Sequence, residues 1–187
     1  ADLGKEEEVC RLFELVQKEY GRLDILINNA GRTFNVGFRD LTGDSLRRDL
    51  EVNLMSTILC SKYAVPLMGK EGWIVNTASI RGMFDSGRPG IMGYCAAKAG
   101  VVSFTKNLAL ELAPRVCVNA VCPGFVYTPY MEGNIPEGLK EGWLRQIPMG
   151  SFVDMEELTE VYLLLATSRA LTGAAIPVDG GYTLLNR

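Results

Sequence analysis

The chain has 187 residues, 48% hydrophobic and 22% charged, the balance of a globular protein with a sizeable core. Nineteen basic and 22 acidic residues leave a net charge of −3, so there is no basic field for nucleic acid, and no run of about 18 apolar residues is available to cross a membrane. With no histidine, histidine-based triads and most zinc sites are ruled out; the five cysteines, none in a C-x-x-C pair, read as reduced, buried thiols of a cytoplasmic protein.

In chain order, Asp2 and Leu3 stand at a possible strand end. From Lys5 to Tyr20, Val9, Leu12, Phe13, Val16 and Tyr20 recur at helical spacing, with acids in the first turn and Gly21 as the stop. Leu23–Ile27 reads as a short buried strand ending at Asn28-Asn29-Ala30-Gly31. A polar loop leads to a helix capped by Asp44 or Ser45 and running to about Met68, with Leu46, Leu50, Leu54, Ile58 and Leu59 as its apolar stripe and Asn53 inside it. A second strand, Trp73–Ala78, ends at Ser79.

The long Gly-containing loop that follows reaches a helix from Tyr94 to about Leu112, stopped before Pro114. Val116–Cys122 is the third strand and Pro123-Gly124 breaks it. Residues 125–151 read as irregular and rich in aromatic and methionine side chains. A helix over Met155–Thr167 and a strand over Ala174–Val178 close the pattern; Pro177 assigns that strand to a sheet edge. Strand and helix alternate throughout, which predicts an α/β fold: a doubly wound parallel sheet in one domain over residues 1–187, with 125–151 as a substrate-binding loop.

Ligands of such sheets bind outside the carboxyl ends of the strands. Those ends carry Asn28–Gly31, Ser79 and Pro123-Gly124, and the Tyr94 helix starts at the same rim. Tyr94 and Lys98 are four apart and share a helix face. A tyrosine hydroxyl is a poor base at neutral pH, and a neighbouring ammonium favours its ionised form, so the pair is expected to lower the Tyr94 pKa. Taken singly, each residue has a plainer reading: Asn53 as a satisfied core amide, Ser79 as a strand-end cap, Lys98 as a solvated charge. Their joint placement points to chemistry.

These motifs resemble those of the short-chain dehydrogenase/reductase family over nearly the whole chain. The match runs through Asn28-Asn29-Ala30-Gly31, Asn53, Ser79, Tyr94-x-x-x-Lys98, Asn119 to Gly124, Thr128 and Asp179-Gly180-Gly181. The three-residue gap between Tyr94 and Lys98 argues against the family's enoyl-reductase branch. The resemblance implies a Rossmann-like fold and a hydride transfer between NAD or NADP and a carbonyl or secondary alcohol. It implies Tyr94 as the proton donor and acceptor, Lys98 as its electrostatic partner and ribose ligand, Ser79 as the group polarising the carbonyl, and Asn53 as the holder of a water. Asp2, Leu3, Asn28, Ala30, Gly31, Pro123, Gly124, Val126 and Thr128 would line the cofactor with Tyr94 and Lys98. It also implies a homodimer or homotetramer, packed through the Tyr94–Leu112 and Asp44–Met68 helices.

Two departures stand out. The loop between Ser79 and Tyr94 is slightly longer than usual, and its Arg81, Asp85 and Arg88 either reshape the pocket or, in the preferred reading, decorate the surface. The family's first two strands and Gly-rich phosphate turn have no counterpart: no G-x-G-x-x-G occurs, and Gly87-x-x-Gly90-x-x-Gly93 has another spacing. The natural protein is therefore expected to be longer, with an apolar edge at Leu23–Ile27. The first expected substrate is a 3-oxoacyl thioester, with a sugar, polyol or steroid alcohol as alternatives. A catalytically silent truncated module is the rival from another class, and an epimerase or dehydratase a more distant one.

Overall fold

The computed structural model of the protein describes residues 1–83, 86–129 and 135–185. Helix α1 (Glu6–Tyr20) begins with three glutamates at its positive end and stops at Gly21, which takes the left-handed conformation (φ 71°) and donates to the Gln17 carbonyl. Strand β1 (Ile25–Asn28) follows. Helix α2 (Gly43–Leu50) is capped not by Asp44 or Ser45 but by Thr42, whose side chain accepts from the Ser45 amide while Ser45 Oγ accepts from the Thr42 amide.

The helix expected to run on to Met68 is not continuous. A π-helical turn, Glu51–Met55, separates α2 from α3 (Ser56–Ala64), and a 3₁₀ turn containing Pro66 ends the segment. The wide turn carries Asn53 and shifts the faces of the helix beyond it. Its buried face is accordingly not the leucine stripe: Asp49, Asn53, Ser56, Thr57, Cys60 and Ala64 are buried, while Ile58 is exposed. That inner face meets polar groups at Thr57 and Ser61, which bond with Asn28 and with each other, and the hydrophobic core at Cys60 and Ala64.

Strand β2 (Gly72–Thr77), helix α4 (Met92–Leu112) and strand β3 (Val116–Pro123) complete the centre. Residues 125–151, expected to be irregular, contain helix α5 (Glu137–Leu144), whose Trp143 stacks on Phe125 at 5.2 Å. Tyr130, Met131 and Asp85 lie outside the described residues. Helix α6 (Met155–Leu165), strand β4 (Ala175–Val178) and the short helix α7 (Tyr182–Leu185) end the chain.

The four strands run in the order β1-β2-β3-β4 and every pair is parallel, with Ile27 opposite Val75 and Val121 opposite Ile176. β4 is at the sheet edge, as Pro177 requires. Val9 and Phe13 of α1, Cys60 and Ala64 of α3 and Ala109 of α4 pack with Ile74, Val116 and Val118 of the sheet, and Leu165 of α6 packs with Val75 and Val121. This is a Rossmann-like parallel sheet between helices. β1 pairs on one side only, and its Ile25 and Ile27 remain 39% and 46% exposed, the apolar edge expected from the sequence.

Candidate active site

The carboxyl ends of β1, β2 and β3 collect the candidate residues at one rim. Ser79 leaves β2 in a tight 3₁₀ turn, its Oγ accepting from the Arg81 amide at 3.1 Å. Gly82 lets that turn sit directly on α4: a side-chain carbon there would lie 2.5 Å from the Lys98 carbonyl carbon. Tyr94 is in the first turn of α4 and lines one cavity with Ser79 and Thr33. One turn on, Lys98 is 3% exposed; its Nζ donates to the Thr77 carbonyl at 2.7 Å and lies 5.8 Å from the centre of the Tyr94 ring.

Asn53 ties this group to the turn after β1. Its amide donates to the carbonyls of Arg32 (2.8 Å) and Asp49 (3.0 Å), and its Oδ1 accepts from the Arg32 amide (2.9 Å). Gly31 packs between Asn53 and Lys98, where a side-chain carbon would be 3.0 Å from Asn53 Oδ1 and 3.2 Å from Lys98 Nζ. The Asn53 side chain is thus a clamp on the Arg32 backbone. Asn28 is also engaged inside the protein: its amide donates to Asn76 Oδ1 and Ser61 Oγ, and Asn76 in turn reaches Thr105. The polar inner face of α3 belongs to this network.

A cavity of about 210 Å³ is lined by Gly31, Ser79, Tyr94, Lys98, Pro123 and Gly124, together with Asn29, Arg32, Thr33 and Thr77. A second, of about 220 Å³, is lined by Leu3, Asn28 and Ala30 and shares Asn29 with the first. Asp2, Val126 and Thr128 line neither. The Asp2 carboxylate accepts from the Gly4 amide and faces Lys5, and Val126 forms a bridge with Val153. Sequence reasoning passed over Arg32, Thr33 and Thr77. Thr77 acts through its backbone carbonyl, which carries no residue signature, and Arg32 and Thr33 have only their position just after Gly31.

The electrostatics depart from expectation. Burial pushes the Tyr94 hydroxyl pKa up rather than down; the neighbouring Ser79 and Thr33 hydroxyls and the charge of Arg81 oppose that shift. Lys98 is drawn instead toward the Thr77 carbonyl, and its own burial lowers its pKa to about 8. Arg81 is not surface decoration. It donates to Ser86 Oγ (3.0 Å) and Tyr182 OH (3.2 Å), and its guanidinium lies against the Phe125 and Tyr182 rings, joining the loop after Ser79 to the 125–151 segment and to α7.

The residues present fit the nicotinamide-ribose end of a dinucleotide. Lys98, bonded to the Thr77 carbonyl, lines a cavity bordered by Gly31 and Gly124, where backbone can approach a ligand closely. The Gly-rich phosphate turn has no counterpart in this sequence. Such a rim on a parallel sheet defines an α/β oxidoreductase of the dinucleotide-dependent class.

Comparison with known proteins agrees. A family model described as enoyl-(acyl carrier protein) reductase matches residues 1–183. The 3-oxoacyl-(acyl-carrier-protein) reductase FabG of Thermotoga maritima is 39% identical over 183 residues, 95% of this chain and 73% of that protein. The D-beta-hydroxybutyrate dehydrogenase of Rhizobium meliloti is 36% identical, over 98% of this chain and 76% of that one. The crystal structure of a gluconate 5-dehydrogenase from Burkholderia cenocepacia in complex with NADP and tartrate superimposes with a TM-score of 0.90 at 25% identity, covering 98% of this chain and 74% of that one. The chain belongs to the short-chain dehydrogenase/reductase family and is an oxidoreductase that uses NAD or NADP. Among the described residues no helix is long and apolar enough to cross a membrane.

Proposed function

We propose that this chain interconverts a ketone and a secondary alcohol, with Tyr94, Ser79, Lys98 and Asn53 as its working group. The observation that carries the reading is the convergence of Ser79, Tyr94 and Lys98 on one cavity. The bound dinucleotide supplies or takes the hydride. The Ser79 hydroxyl holds the substrate oxygen, and the Tyr94 hydroxyl gives that oxygen its proton in reduction and removes it in oxidation. Lys98, mostly charged at neutral pH, stabilises the phenolate once substrate and dinucleotide have closed the cavity, and hydrogen-bonds the ribose. Asn53 keeps the turn bearing Gly31 and Arg32 against Lys98; a water linked to Lys98 would be held on its backbone side, since its side chain is engaged.

The Tyr–Lys spacing and the names of the curated relatives support carbonyl over enoyl chemistry. A 3-oxoacyl thioester is the first substrate of choice, in line with the FabG relatives, and residues 125–151 form the substrate wall in this reading. All five cysteines are free, which suits a cytoplasmic enzyme. A second copy is proposed to cover α4, whose exposed residues Met92, Ala96, Ala99, Ser103, Lys106 and Leu110 alternate at four and three, the spacing of a helix-pairing seam. The test of the activity is Tyr94→Phe, assayed with reduced and oxidised dinucleotides against a panel of ketones and alcohols. Turnover should fall at least a thousandfold with the fold retained; wild-type-like kcat would refute the role of Tyr94.

A further inference from the structure

Beside the catalytic cavity, the turn after β1 brings two guanidiniums onto one aromatic ring. Arg48 Cζ lies 4.0 Å from the centre of the Phe34 ring and Arg32 Cζ 5.2 Å from it. Stacking uses the flat face of a guanidinium and leaves its fork of N–H donors directed sideways. Among the described residues neither arginine makes an ion pair, although the adjacent Arg47 is paired with Asp44 and the charge of Arg48 is felt by the buried Asp49 carboxylate. Arg32 is also held in place: both its backbone N–H and its carbonyl are bonded to the Asn53 amide, and it lines the same cavity as Ser79, Tyr94 and Lys98. Two like charges gathered on one ring repel each other, and an anion between them would relieve that repulsion.

We propose that Arg32, supported by Arg48 across Phe34, reads an anionic oxygen group carried by the carbonyl substrate. The site would take an oxo acid or a phosphorylated ketone in which the carboxylate or phosphate is held as the carbonyl meets Ser79 and Tyr94. This rests on the carbonyl–alcohol reading above and takes, in place of the 3-oxoacyl thioester named there, a substrate with a free anionic group near its ketone. A planar fork suits a two-oxygen anion, and a charge-assisted bidentate pair is the strong form of hydrogen bond.

The test uses matched substrates: acetoacetate against its ethyl ester, and dihydroxyacetone phosphate against dihydroxyacetone, each with reduced dinucleotide. The wild type should favour at least one anionic member over its neutral partner, and which pair shows the effect separates a carboxylate from a phosphate. Arg32→Gln should cut that preference about tenfold or more, chiefly through KM, and Arg48→Gln by less. Arg32→Lys keeps the charge but not the fork and should restore only part. Both side chains are exposed, and circular dichroism checks that each variant folds. No preference for either anion, or the same preference in Arg32→Gln, overturns the proposal. If wild type turns over no ketone, the functional reading fails instead. Calorimetric titration of the two anions then decides the site: binding that Arg32→Gln abolishes upholds it, and no binding overturns it.

Discussion

Gly31 and Lys98 pack so closely that position 31 has no room for a side chain: a carbon there would lie 3.2 Å from the buried ammonium and 3.0 Å from the Asn53 amide oxygen behind it. Gly31→Ala must therefore displace Lys98, Asn53 or the turn itself by a few tenths of an ångström. Small misplacements of reacting groups are expensive in rate. Steady-state kinetics should show kcat/KM falling about tenfold or more, with Tm lowered by only a few degrees. Unchanged kinetics would mean that the Gly31 contact does not position Lys98.

Lys98 makes stability depend on pH. Its folded pKa of about 8 lies below the ordinary 10.5, because burial disfavours the ammonium. Between those values the unfolded chain holds a proton that the folded chain has released, so stability rises with pH across that window. Below pH 8 the cost of burying the charge is fully present, on the order of 3 kcal/mol. Lys98→Met should be more stable than wild type at pH 7, and its denaturant midpoint should lack the rise above pH 8, while turnover and dinucleotide affinity both drop. An equally steep rise in the variant would assign the titration to another group.

Asp49 and Gly93 form a second close pair. Asp49 is 1% exposed, its Oδ1 has no hydrogen-bond partner, and burial raises its pKa. A side-chain carbon at Gly93 would lie 2.9 Å from Asp49 Cβ and nearer still to its carboxylate. A raised carboxylate pKa lowers stability as pH climbs through the unfolded and then the folded value. Asp49→Asn should therefore exceed wild type by about 1–2 kcal/mol at pH 7, and the difference should shrink below pH 4. Gly93→Ala should cost about 1–3 kcal/mol alone and much less in an Asp49→Gly background, which removes both the carboxylate and Cβ, a coupling that a double-mutant cycle in urea would measure.

The α4 seam is open to a direct test. Leu110 is 80% exposed, and Ala96, Ala99 and Ser103 are small enough for a second helix to approach closely. Wild type should sediment as a dimer or tetramer, and Ser103→Arg should shift it to monomer at micromolar concentration. A monomeric wild type would remove the proposed interface.

Much of this architecture is legible from short patterns. Gly21 and its helix, the parallel alternation, Pro177 on an edge strand and the four-residue step from Tyr94 to Lys98 each depend on local geometry, and local geometry is what residue spacing encodes. The rim of Ser79, Gly31 and Pro123-Gly124 was equally readable, because a parallel sheet gathers its strand ends on one side. The leucine stripe misled because a π turn at Glu51–Met55 changes the faces of the helix, and because the inner surface is matched to the Asn28–Asn76 network.

The sequence by itself carried the family resemblance and the order of strands and helices, since both follow from spacing along the chain. Only the tertiary structure decided how those residues are engaged. Asn53 turned out to clamp the Arg32 backbone, Arg81 to link three segments, and Arg32 and Arg48 to meet on Phe34. It also decided that burial raises the Tyr94 pKa, because desolvation depends on every group packed around a side chain, and residue spacing does not record that.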